Sequence, residues 1–155
     1  MGQLGAGRAC SKPVVLIADD DPDVAQSYAE VLEVSGYRVC TACDGREVVA
    51  QAVALRPDVI LMDLDMPRMD GWEATRRIRA DLRTHRIPIL ALTCHGLRRH
   101  RDRSFAAGCN AFLDKPCDVG ALVVEIERAL QRGTPLGAVV DVIADVGSGA
   151  PSARR

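Results

Sequence analysis

Val59-Ile60-Leu61-Met62-Asp63-Leu64-Asp65-Met66-Pro67 is the stretch whose reading decides how this 155-residue chain folds. Four consecutive apolar residues with no polar alternation suit a short strand covered on both faces, and the run stops abruptly at a carboxylate. Three other runs share that form, at residues 14–18, 87–92 and 111–113, and residues 38–41 supply a more polar candidate. The segments between them have helical spacing. After Asp21 and Pro22, suited to the cap and first turn of a helix, Val24, Tyr28, Val31 and Leu32 fall on one face, and Gly36 is placed to end it. Residues 47–55 set Val48, Val49, Ala52 and Val53 on one side, and residues 72–80 and 97–107 fill the next two helix positions less cleanly. Past Asp118, Val119, Leu122, Val123, Ile126 and Leu130 form the clearest stripe. Strand and helix therefore alternate five times, which predicts an α/β domain built on an open parallel sheet with right-handed crossovers.

Composition bounds the rest. The length fits one domain, and 48% apolar with 26% charged residues excludes a disordered or membrane-embedded chain. Aromatics are only 3%, so the core must be aliphatic. A net charge of -1 offers nothing to polyanions, and no DNA-reading module is visible, so direct DNA binding is not expected. No apolar run is long enough for a signal peptide or membrane span, which predicts a cytoplasmic protein with no membrane contact. Six cysteines without a secretion signal read as reduced thiols, and the Cys40-x-x-Cys43 pair reads as small buried hydrophobes rather than a redox or zinc motif. The expected organisation is an N-terminal tail over 1–12, one domain over 13–132, and a tail over 133–155. Within the last tail, Val139, Val142, Ile143 and Val146 have the spacing of a short amphipathic segment.

In an open α/β sheet, ligands bind beyond the carboxyl ends of the strands, where strand order reverses. The residues there are Asp19 and Asp20 after the first run, Asp63 and Asp65 after the third, Thr93 after the fourth and Lys115-Pro116 after the fifth. Converging carboxylates repel unless a cation neutralises them, and an all-oxygen set with no His or Cys favours Mg²⁺ over zinc, with Mn²⁺ as a substitute. Such a site also suits a phosphoryl acceptor, because phosphoryl transfer needs positioning and charge neutralisation more than covalent chemistry. Asp63 is the best-placed nucleophile, Lys115 a second positive charge and the Thr93 hydroxyl a hydrogen-bond donor. Eighteen of the twenty basic residues are arginine, so Lys115 stands apart.

Four motifs in fixed order, IADD at 17–20, DLDMPRMDG at 63–71, ALT at 91–93 and DKP at 114–116, make the chain resemble the response-regulator receiver family of bacterial two-component signalling. The resemblance spans about residues 12–132. It implies a flavodoxin-like, doubly wound five-stranded parallel sheet of order 2-1-3-4-5 with five helices. It also implies that Asp63 is the phosphorylated aspartate, Asp20 a direct metal ligand, Asp19 a ligand through water, and Asp65 a ligand through its carbonyl. Thr93 and Lys115 would contact the phosphoryl oxygens, with a cis bond before Pro116. Phe112 takes the place of the aromatic switch residue, which turns inward when the Thr93 hydroxyl moves. Asp65, His95 and Cys94 occupy positions that influence the lifetime of the acyl phosphate or access to it.

The partners so implied are a sensor histidine kinase or a histidine phosphotransfer protein upstream, and a protein docking downstream on the face made by the fourth helix, fifth strand and fifth helix. A homodimer through the same helices is compatible with it. The reading is a single-domain response regulator that catalyses its own phosphorylation and slow dephosphorylation and is no metabolic enzyme. Two rivals stand beside it. Asp63-Leu64-Asp65 has the D-x-D form of haloacid-dehalogenase-type phosphohydrolases, although there it follows the first strand. A phosphorylation-independent adaptor would have no need of Asp20, Asp63, Thr93 and Lys115 together.

Overall fold

The computed structural model describes residues 11–94 and 98–132; residues 1–10, His95 to Leu97 and the 133–155 tail lie outside. Five strands alternate with five helices in the order β1 (Val14–Ala18), α1 (Pro22–Val34), β2 (Arg38–Ala42), α2 (Gly45–Leu55), β3 (Val59–Asp63), α3 (Gly71–Ala80), β4 (Ile89–Thr93), α4 (Arg98–Ala107), β5 (Ala111–Asp114) and α5 (Val119–Arg132). The strands form one parallel sheet of order β2-β1-β3-β4-β5. It is the expected flavodoxin-like arrangement.

The unbroken apolar runs are explained by two cores. Side chains alternate across a sheet, so Leu16, Ile60, Met62, Ile89 and Ala91 enter one cluster under α2, α3 and α4, while Val15, Ile17, Val59, Leu61, Leu90 and Leu92 enter another under α1 and α5. Every inner position of β1, β3 and β4 is thus apolar whichever way it points.

The helices begin where side chains can hold their first amides. Asp21 accepts from the N–H groups of Asp23 and Val24, Asp44 from Glu47 and Asp70 from Glu73. Asp58 accepts from the Val14 N–H at 2.7 Å, and Asp118 from Ala121. Several boundaries differ from the sequence reading, and β2, β3, β4 and β5 each run one residue past the apolar stretch. The caps at Asp44 and Asp70 start α2 and α3 at Gly45 and Gly71, earlier than apolar spacing shows. α4 begins at Arg98, with Leu97 outside the described residues. β4 begins at Ile89 instead of residue 87, because the Ile87 carbonyl is taken by the Arg79 guanidinium and Pro88 has no N–H to give a ladder. The inward stripe of α1 is also one residue off, with Ala25, Ala29 and Leu32 buried and Val24 and Tyr28 half-buried beside them.

Arg79 is a clip that apolar patterning cannot show. Its guanidinium donates to the carbonyls of Gly108 (2.9 Å), His85 (3.0 Å) and Ile87 (2.7 Å) and to Asn110 Oδ1 (2.7 Å), tying the end of α3 to the starts of β4 and β5. No carboxylate is among these acceptors, and burial lowers the guanidinium's affinity for its proton. Arg79→Ala strands several part-buried carbonyls, so it is expected to cost about 2 kcal/mol, read as a lower denaturant midpoint with an unchanged slope.

Candidate functional site

β1 leads into α1 on one side of the sheet and β3 lies on its other flank, so the order reverses between β1 and β3. Asp19 and Asp20 follow β1, and Asp63 ends β3. Their carboxylates converge, with one oxygen from each lying within 4.8 Å of the others. Asp19 and Asp63 are buried and Asp20 is exposed.

The neighbouring strands deliver the cation. Lys115 follows β5, its N–H bonds the Thr93 carbonyl at 2.7 Å, and the bond before Pro116 is cis. Its Nζ donates to Asp19 Oδ2 at 2.5 Å and lies 3.6 Å from Asp63 Oδ2. Burial alone would lower the Lys115 pKa, but the hydrogen bond to Asp19 and the charges of Asp63 and Asp19 outweigh it and the net shift is upward. Lys115 is therefore a firm cation at neutral pH. Asp63 shifts upward too, chiefly through burial and further through repulsion from Asp19 and Asp20, against the N–H of Asp65 (3.1 Å to Oδ1) and the charge of Lys115. Three carboxylates and one ammonium leave an excess of negative charge. The donor set is all oxygen, and the Asp65 carbonyl is two residues along, so the residues present fit a hard divalent cation.

Thr93 is fully buried at the end of β4, one residue past the Leu92 that pairs with Asp63. Two residues before it, Ala91 pairs with Phe112 on β5, so Thr93, Ala91 and Phe112 share one sheet face, and Phe112 is buried in the core under α4. Cys94 is exposed at the rim, near Lys115. His95 lies outside the described residues. An open cleft of ≈ 440 Å³ adjoins Asp20 on the β2 side, walled by Gln26, Thr41, Cys43 and Glu47. Cys40 packs on the core, but Cys43 is exposed there, which corrects the reading of both thiols as buried: β2 has ended, and Cys43 gives its N–H to Glu47.

A family search matches residues 15–127 to the response regulator receiver domain. The chain belongs to the response-regulator receiver family. This receiver is 39% identical over 120 residues to the DNA-binding dual master transcriptional regulator RpaA of Synechocystis sp., covering 77% of this chain and 50% of RpaA. It is 30% identical over 116 residues to the polar-differentiation response regulator DivK of Brucella anthropi, covering 75% of this chain and 94% of DivK. The receiver domain of sensor histidine kinase PA1611 from Pseudomonas aeruginosa, solved with a magnesium ion in its active-site cleft, superposes with TM-score 0.74 at 36% identity, covering 78% of this chain and 99% of that one. The chain spans about half the length of most curated relatives it matches. No helix among the described residues is long and apolar enough to cross a membrane.

Two contacts near this receiver's site, one from the acceptor loop and one between α1 and the segment after β5, escaped the sequence reading. Arg68, in the left-handed region at φ 65, forks its guanidinium onto Asp44 Oδ2 at 2.8 and 3.2 Å, joining the loop to the cap of α2. The Tyr28 hydroxyl lies 3.5 Å from Cys117 Sγ, and burial, that contact and the charge of Asp19 hold its proton tightly. Asp44-x-x-Glu47 is a capping signal legible in the sequence; nothing in the sequence announces the other two.

Proposed function

We propose that this receiver takes a phosphoryl group from a phosphohistidine of a sensor histidine kinase or phosphotransfer protein onto Asp63. It signals through phosphorylation-dependent contacts on α4, β5 and α5, or by onward transfer. The observation that carries this reading is the meeting of Lys115 with both Asp19 and Asp63 at the switch point of the sheet. A carboxylate oxygen of Asp63 forms the new bond to phosphorus as the phosphorus–nitrogen bond of the donor breaks, and the electron pair leaves with the imidazole. Asp63 must be ionised for this, and the charge of Lys115 works toward that, opposing the rise that burial causes. Thr93 and Lys115 donate to the phosphoryl oxygens as charge accumulates there. Asp19, Asp20, Asp63 and the Asp65 carbonyl are the groups that would hold Mg²⁺, which supplies the rest of the charge neutralisation. Asp65 and Cys94, with His95, then set how readily water reaches the acyl phosphate. The chain works in the cytoplasm as a signalling protein and turns over no metabolite.

Acetyl phosphate with Mg²⁺ is expected to leave one phosphoryl group per chain, seen by intact-protein mass spectrometry and absent when the metal is chelated. Repeated turnover of phosphate monoesters would instead favour the hydrolase reading.

A further inference from the structure

α4 has a weak seat on the sheet. Of its side chains from His100 to Ala107, only Ser104 and Ala107 are buried, and both are small. Its specific bonds run sideways to the start of α3. The Trp72 indole N–H donates to Ser104 Oγ at 3.1 Å, and the Ser104 hydroxyl donates to the His100 carbonyl at 2.6 Å. The Arg103 guanidinium stands 4.0 Å from the centre of the Trp72 ring, and the His100 ring centroid lies 5.3 Å from it. Arg103 also reaches Asp70 Oδ2 at 4.0 Å, on the carboxylate that caps α3.

Trp72 and Asp70 are not remote from the acceptor. Between them stands Gly71, packed so tightly that a Cβ would lie 2.3 Å from the Asp63 carbonyl oxygen and 2.8 Å from Leu64 Cα. The Gly71 N–H donates to the Leu64 carbonyl at 3.1 Å. The backbone carrying Asp63 and the residues gripping α4 are thus in direct contact.

We infer that Trp72 is a positioning residue that couples the Asp63 loop to α4, a route separate from Thr93 and Phe112. The inference rests on the reading of Asp63 as the phosphoryl acceptor. A shift of the loop on phosphorylation displaces Gly71, Trp72 moves with it, and the Ser104 and Arg103 contacts loosen or reseat. Among the described side chains of α4 only Ser104, Ala107 and the half-buried Phe105 engage the core, so these contacts carry much of the helix's placement.

Hydrogen exchange over residues 100–107 tests this in the full chain, with and without acetyl phosphate and Mg²⁺, beside mass measurement of the same samples. Native protein is expected to change exchange there on phosphorylation. Trp72→Phe removes the N–H donor while keeping a ring, so the segment should exchange about three- to tenfold faster before phosphorylation, show no further response to it, and still take up the phosphoryl group at a rate within about twofold of native. Ser104→Ala should reproduce this pattern with the indole retained, and carries the test should Trp72→Phe fold poorly. A phosphorylated native chain with no change over 100–107, or either variant responding as native does, overturns the link. If no phosphoryl group enters the native chain, the reading of Asp63 itself fails and takes the link with it, an outcome the mass measurement sets apart.

Discussion

Asp63→Asn protein is expected to take up no phosphoryl group and, free of metal, to melt at a higher temperature than the native sequence at neutral pH. The first effect is complete, because the amide oxygen is no nucleophile toward phosphorus and, among the described residues, no other carboxylate is held as near to Lys115 except Asp19, whose Oδ2 the ammonium already occupies. The second follows from the direction of the Asp63 shift. Burial raises this carboxyl above its ordinary 3.8, with Asp19 and Asp20 adding to the rise. The folded state therefore holds the proton more tightly than the unfolded chain, and stability falls as pH climbs from 3.8 through the raised value. The penalty builds as pH rises from 3.8 through the raised value and is absent near pH 3, where both states are largely protonated. Asparagine never ionises, so its advantage should appear at pH 7 and vanish at pH 3. Mg²⁺ reverses the order: at a hundred times its dissociation constant it adds about 2.7 kcal/mol to the native protein, and less to the variant, which lacks one carboxylate. Thermal melts at the two pH values, with and without Mg²⁺, check each arm. Equal melting at pH 7 without metal would mean that the crowded carboxylates impose no cost.

The architecture was legible because it is written in repeated local signals. Buried strands such as Val59–Asp63 are apolar on both faces since two helical layers cover them, and the acidic and Lys-Pro residues sit directly after such runs. Knowing the runs therefore located Asp19, Asp20, Asp63, Thr93 and Lys115 at one end of the sheet before their distances were known. Order 2-1-3-4-5 was not in the periodicity; it came with the family motifs. What stayed hidden depends on contacts between elements distant in sequence. Arg79 lies among the arginines of a polar helix and serves four carbonyl acceptors from residues 85 to 110. Trp72 opens one of the less cleanly patterned helices, and only the juxtaposition of α3 with α4 gives its N–H a partner. On α1, apolar spacing favoured Val24 and Tyr28 over Ala25 and Ala29; a helix lying close to a sheet buries its small residues deepest, and hydrophobicity alone cannot rank those faces.

Gly71→Ala is expected to damage fold and site together. The glycine has no positive φ to explain it; the constraint is space. A Cβ there would lie 2.3 Å from the Asp63 carbonyl oxygen and 2.8 Å from Leu64 Cα, both backbone atoms of the acceptor strand's end, so no side chain can turn aside to relieve it. Either α3 lifts off or the strand end moves. Overpacking of this kind costs about 1–3 kcal/mol, occasionally more, and at roughly 2–4 °C per kcal/mol for a chain of this length the melting point should fall by several degrees. Moving the Asp63 carbonyl also shifts the Asp65 N–H that bonds Asp63 Oδ1, so acceptance of the phosphoryl group should slow even in the fraction that remains folded. Gly120 supplies the contrast. Its added Cβ would meet only the Asp118 carboxylate oxygen, the end of a side chain at the exposed start of α5. Alanine is favoured over glycine in a helix interior by about 1 kcal/mol, which offsets the shift it asks of the Asp118 oxygen capping Ala121, so Gly120→Ala should melt close to the native temperature and accept the phosphoryl group normally. Should Gly71→Ala match Gly120→Ala in both measurements, the close seat of α3 on the acceptor strand would not be what positions Asp63.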